Sequence, residues 1–157
     1  MKSYKLFALL LCVTLLASAL TGCGSRTPVT KEVFTQTMEN AGFTVMDVTE
    51  TTQTNGLATG VLIAMNEKDG YQIELWELVD EETGEGVFYN NKNSFEVEHS
   101  SKTMSMSVTA GNYNYFAFTA DGNFHMIARI ANTMLYCEAD KAYKDDIVDL
   151  AKQLGYK

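Results

Sequence analysis

Tyr113–Ala139, YNYFAFTADGNFHMIARIANTMLYCEA, carries the pattern of three consecutive antiparallel strands. Asp121-Gly122 and Ala131-Asn132 divide it into three apolar runs, Tyr113–Thr119, Phe124–Ile130 and Thr133–Ala139. Both dipeptides suit two-residue connections between antiparallel strands. Tight turns fix register. Phe124 then faces Ala139, Met126 faces Cys137 and Ala128 faces Leu135, while His125 meets Glu138, Ile127 meets Tyr136 and Arg129 meets Met134. Across the earlier turn, Ala117 lies beside Met126 and Tyr115 beside Ala128.

Working outward, Gly111-Asn112 joins a further strand, Thr103–Thr109, to the same sheet. Side chains alternate between faces with a period of two. One face collects Met104, Met106, Val108, Tyr113, Tyr115, Ala117, Met126, Ala128, Ile130, Leu135 and Cys137, a core face for the amphipathic terminal helices to cover. The other collects Ser105, Ser107, Asn114, Phe116, Phe118, His125, Ile127, Arg129, Tyr136 and Glu138. Phe116, Phe118, His125, Ile127, Arg129 and Tyr136 form the candidate binding face, because exposed aromatic clusters mark interaction surfaces. The alternative is that the remaining helix or the first strands cover it, as in a sandwich. Full burial of both Phe116 and Phe118 would remove the platform.

The first half supplies the remaining elements. Thr30 caps a helix running to Ala41, with Phe34, Met38 and Ala41 on one face, Gly42 as its stop and Phe43 packing back. A short strand at Phe43–Val48, a threonine-rich loop ending in Asn55-Gly56, and antiparallel strands at Ala58–Met65 and Tyr71–Val79 follow. Asp80-Glu81-Glu82 opens a second helix at its positive dipole end, extending to Lys92 before Asn90–Asn93 breaks into loop. A last helix runs from an Asp140 cap to Leu154, with Gly155 as the stop. The order α-βββ-α-ββββ-α predicts an α+β fold of antiparallel sheet with about three helices packed on it. An αβββ pattern occurs twice without residue-level repetition.

The residue types of catalysis are present but badly placed. Cys137 and His125 fall on opposite faces, and a thiol packed against Met126 behaves as a small hydrophobe. Met104, Met106 and Met126 have the thioethers that suit Cu(I), yet they sit on the core face while His125 points away. The acids Asp80, Glu81, Glu82 and Glu85 match no calcium loop, and no nucleophile elbow, P-loop, dinucleotide fingerprint or zinc pattern occurs. The expectation is a non-enzymatic chain with no metal and no cofactor beyond a covalent lipid.

That lipid follows from the N-terminus. Lys2 and Lys5 precede an apolar run, Leu6–Leu20, and the stretch closes on Leu20-Thr21-Gly22-Cys23. Charge, apolar core and small residues in that order mark an export signal, and fifteen residues fall short of the roughly 20 of a membrane span. L-T-G-C resembles the lipobox of bacterial prolipoproteins. The resemblance implies cleavage after residue 22 and acylation of Cys23, by palmitate or a similar chain, on the extracytoplasmic face of the cell membrane. Arg129–Tyr136 and Leu154-Gly155-Tyr156 resemble a group of small uncharacterised lipoproteins of Gram-positive bacteria, which implies an address and a fold but no activity.

Residues 1–22 would thus be signal peptide, 23–29 a lipidated tether and 30–157 one α+β domain. The whole chain carries 12 basic and 20 acidic residues; losing Lys2 and Lys5 leaves ten against twenty, a net −10. Such acidity argues against nucleic acid or anionic headgroups as partners. Cys12 leaves with the leader and Cys23 is acylated, so Cys137 has no disulfide partner within the chain and the domain rests on its core. The functional expectation is a protein partner or small ligand bound at the cell envelope. The alternatives are a structural or assembly subunit of an envelope complex, or an enzyme on envelope components with an unadvertised site.

Overall fold

A computed structural model describes residues 25–99 and 104–157. The leader and Cys23 lie outside the described residues, as does Thr103, the expected first residue of the strand before Gly111. The elements in chain order are α1 (Lys31–Asn40), β1 (Thr44–Asp47), β2 (Ala58–Asn66), β3 (Tyr71–Leu78), α2 (Glu81–Glu98), β4 (Met104–Ala110), β5 (Tyr113–Ala120), β6 (Asn123–Ile130), β7 (Thr133–Asp140), a 3-10 turn (Lys141–Tyr143) and α3 (Lys144–Gln153). The chain is an α+β fold: seven antiparallel strands in the order β1-β2-β3-β7-β6-β5-β4, flanked by helices.

The Asp121-Gly122 and Ala131-Asn132 turns set the register expected of them. Met126 pairs with Cys137, His125 with Glu138 and Ala117 with Met126. Asp121 and Gly122 both take positive φ, 51° and 88°, as a hairpin turn of the primed type requires. Ala131 also sits at a positive φ of 49°, which is costly for a residue with a Cβ. Its carbonyl accepts a hydrogen bond from Arg129 Nη1 at 2.9 Å, and its N–H donates to Asn112 O at 2.8 Å, so both backbone groups at the strained position are held.

One face of the sheet packs under α1 and α3. Phe34 and Met38 from α1, and Ile147, Leu150 and Ala151 from α3, close over Leu62, Ala64, Ile73, Leu75, Tyr115, Met126, Ala128, Leu135 and Cys137. Gly42 and Gly155 end these helices at φ values of 88° and 82°, and the next residues donate back into the helix, Phe43 N to Met38 O and Tyr156 N to Ala151 O. Ala41, expected on the buried face of α1, is exposed at its C-cap. The cover stops short of the sheet edge: Met106 and Val108, read as core, are half-exposed on β4 because neither helix reaches that far. The side chain of Met104 lies outside the described residues.

The other face packs under α2, which is longer than its sequence suggests. Asp80 caps it by accepting from Thr83 N at 2.7 Å, and the helix passes through Asn90–Asn93 to Glu98 instead of ending at Lys92. Helix propensity in that segment is low, but Phe88 and Phe95, two turns apart, are both buried against Phe116, Phe118 and Ile127. Burial of those rings outweighs the local preference. Gly84, a residue that weakens a helix in isolation, has a packing reason. A Cβ there would stand 2.7 Å from Ala131 O, so the glycine lets α2 lie directly on the β6–β7 turn.

Candidate functional site

The six residues expected to form a binding face share one side of the sheet, but they are not an open platform. Phe116, Phe118, His125, Ile127 and Arg129 are buried, and only Tyr136 is partly exposed. The platform reading is therefore corrected: α2 covers it. Arg129 is a structural cation. Its Nε donates to Asn114 Oδ1 at 2.7 Å, its Nη1 to Ala131 O, and Glu81 Oε1 lies 3.7 Å away as a counter-charge on the first turn of α2. Asn114 in turn donates to Thr109 Oγ1, which fixes the acceptor that partners the buried charge.

His125 differs. Its ring stacks on Phe118 at 4.5 Å with planes 4° apart, and His99, the C-cap of α2 and the other histidine of the chain, lies 4.7 Å from it. Among the described residues neither ring nitrogen has a hydrogen-bond partner, and Glu138 Oε2 stands 3.6 Å from Nδ1. Burial pushes its pKa below the usual imidazole value and His99 adds to this, against the opposing pull of Glu138 and Asp121. A neutral ring walled by Phe95, Phe118 and His99 has a proton acceptor but no room for a substrate. Cys137, on the other face, is fully buried, and burial pushes its thiol up to about 12, which keeps it protonated and unreactive. Among the described residues, no three His, Cys, Asp or Glu side chains are placed to hold a metal.

What remains open on this face lies beside α2, over the β3–β7 seam. That pairing sets Gln72 against Glu138, Glu74 against Tyr136 and Trp76 against Met134. A groove of about 280 Å³ is lined by Glu74, Trp76, Met134 and Tyr136 from the sheet and Asn91 from α2. Across Glu74 and Tyr136 it adjoins a more open depression of about 490 Å³ that reaches Gln72, Asn123, Glu138 and Asp140. Glu74 is the hub. Gln72 Nε2 donates to its Oε1 at 2.7 Å and Trp76 Nε1 to its Oε2 at 2.8 Å, which fixes the carboxylate between an amide and an indole. Tyr136 stacks on Phe95 at 6.0 Å. Burial, with Glu138 and Glu74 adding, pushes its phenol up to about 12, so it stays a neutral wall and a hydrogen-bond donor.

Of this groove, only Tyr136 stood among the expected site residues. Gln72, Glu74 and Trp76 alternate along β3 with buried Tyr71, Ile73 and Leu75 and are half-buried on the α2 side. What brings them to Tyr136 and Met134 is the β3–β7 pairing, and no turn announces it because α2 and three strands intervene. Comparison with known proteins adds nothing to the geometry: no family model, no curated protein and no solved structure matches the chain.

Proposed function

We propose that this chain is an extracytoplasmic lipoprotein, anchored through acyl chains on Cys23, that binds and does not transform. Its ligand is a cationic group carried on an apolar body, as in an amine or a Lys- or Arg-bearing segment of an envelope protein. The observation that carries this reading is the Glu74 carboxylate, fixed by Gln72 and Trp76 in a groove that Trp76 and Tyr136 also line. An indole and a phenol offer faces to a cation and an apolar wall to its stem, and the fixed carboxylate supplies the counter-charge without reorganising. The acidic surface, a net −10 after loss of residues 1–22, draws cationic ligands towards the envelope-facing protein and repels anionic ones.

Trp76 is the only tryptophan, so its emission reports occupancy directly. Titration with short peptides that combine arginine and an aromatic residue is expected to change Trp76 fluorescence saturably, and acidic peptides of the same length to have no effect. Glu74→Gln should weaken the response while leaving the fold intact. Equal responses to cationic and acidic peptides, or none to either, would contradict the reading.

A second reading, an assembly subunit of an envelope complex, is favoured by β4. This edge strand lacks charge and proline, and it leaves Met106 and Val108 half-exposed beside an unpaired ladder. Chemical cross-linking in intact cells distinguishes the two, because partners held at Val108 mark the edge and partners held at Trp76 mark the groove. An enzymatic reading has less support, since His125 is buried and closed in by rings and Cys137 is buried as a protonated thiol.

A further inference from the structure

Residues 23–29 read as a brief tether, and the domain holds the chain from Arg26 onward. Arg26 N donates to Asn112 Oδ1 at 2.8 Å, and Asn112 Nδ2 donates to Arg26 O at 2.8 Å, so one side chain satisfies both backbone groups. Arg26 Nη1 donates to Gly155 O at 2.8 Å, and the guanidinium lies 3.5 Å over the Tyr113 ring. Val29 is buried in the main core. Only the three steps from Cys23 to Arg26 remain as leash, at most about 11 Å fully extended.

The point of attachment belongs to one rim of the sheet. From Asn112 the rim continues to Ala131, whose N–H donates to Asn112 O, and to Asn132, which exchanges bonds with Leu78. It ends at Val79 N, which donates to Leu57 O. Leu57 and Val79 are 49% and 46% exposed, an apolar pair with no cover on the rim where the chain enters. Eight-residue strands put the opposite rim, with Asn66–Gly70 and Asp121-Gly122, roughly 25 Å further away.

Resting on the acylation of Cys23 proposed above, we infer that the rim bearing Asn112, Asn132, Leu57 and Val79 is a membrane-contact surface, and that it lies against the lipid headgroups with the opposite rim turned outward. A leash this short cannot let the domain stand off or turn over. The contact is covalently enforced, with Leu57 and Val79 as its apolar part. Asp80, Glu81 and Glu82 open α2 on the same rim, so attraction to anionic lipid is not its source. The outward rim carries the open end of the Glu74 groove at Asn123, Glu138 and Asp140, which leaves that end accessible to ligand.

The test uses the full, lipidated chain in vesicles of phosphatidylglycerol and phosphatidylethanolamine doped with headgroup-nitroxide lipid. A thiol-reactive fluorophore is placed at Val79→Cys or, on the far rim, Lys68→Cys. Acylation blocks Cys23 and burial shields Cys137, so the introduced thiol is the one that reacts. Several-fold stronger quenching at position 79 than at 68, unchanged by high salt, is expected. Leu57→Cys carries the same comparison should Val79→Cys fail to fold. Asn112→Ala, which removes both bonds to the Arg26 backbone, should narrow the difference between rims. Equal quenching, or stronger quenching at 68, with Cys23 acylated by mass spectrometry of the same sample, would overturn the orientation alone. An unacylated Cys23 in that sample would overturn the anchoring reading and this inference with it.

Discussion

The two faces of the sheet are buried by different means. Under α1 and α3 the contacts are mainly apolar, from Phe34 and Met38 to Leu135 and Cys137, with one buried hydrogen-bonded set, Tyr113, Thr133 and Tyr156, at the rim. Under α2 a smaller apolar patch, Phe88, Phe95, Phe116, Phe118 and Ile127, is interleaved with buried Arg129, Asn114 and His125 and leaves a groove uncovered at Glu74 and Trp76. The first face has the composition of a core and buries no charged group. The second trades apolar burial for fixed polar groups and open surface, and in this chain the candidate chemistry lies there.

Substitutions that attack each face should separate them. Leu135→Ala, fully buried on the α1/α3 face, should cost about 3–4 kcal/mol in urea unfolding, as large-to-small changes in close-packed cores do. On the α2 face, Arg129→Met should cost about 2–3 kcal/mol, because it leaves Asn114 Oδ1 and Ala131 O without their donor.

Two glycines of α2 sharpen the comparison further. Gly84→Ala should destabilise by about 1–3 kcal/mol through the clash with Ala131 O. Gly86→Ala, which meets nothing within 4 Å, should stabilise by up to about 1 kcal/mol, the ordinary helix gain. Opposite signs two residues apart would place the docking contact at Gly84; equal signs would contradict it.

A smaller effect is a pH dependence that belongs to the α2 face. The folded pKa of His125 lies below its unfolded value, so the unfolded chain binds more protons as the solution acidifies. His125 should therefore leave stability undiminished above the ordinary imidazole range near 6.5 and withdraw it progressively as pH falls from there towards the folded value. Denaturant unfolding at pH 7.5 and 5.5 checks this, and His125→Phe should flatten the difference. Least of all, Val108→Lys on the uncovered part of β4 should change stability by under about 0.5 kcal/mol, because no helix reaches it.

Local signals account for most of the architecture. Asp121-Gly122, Ala131-Asn132 and the helix stops Gly42 and Gly155 each impose their geometry on a few neighbours, so the register of β5, β6 and β7, the limits of α1 and the end of α3 were legible from residues alone, whereas Asp140, expected to cap the last helix, caps the 3-10 turn and α3 starts at Lys144. The length of α2 was not, because what holds Asn90–Asn93 in a helix is the burial of Phe95 against strands later in the chain. The groove was illegible for the same reason. Trp76 and Tyr136 are sixty residues apart, and only the β3–β7 pairing brings them to one wall. The Arg26 clamp was hidden too, since its partners are Asn112, Tyr113 and Gly155.

Both the anchored binding role and the membrane-facing rim depend on what happens at residue 23. Intact-mass and peptide mass spectrometry of the protein isolated from its native membranes tests this most directly. The account predicts a chain that begins at Cys23 with its sulfur carrying lipid. A free thiol at that position, or a chain still bearing residues 1–22, would contradict it.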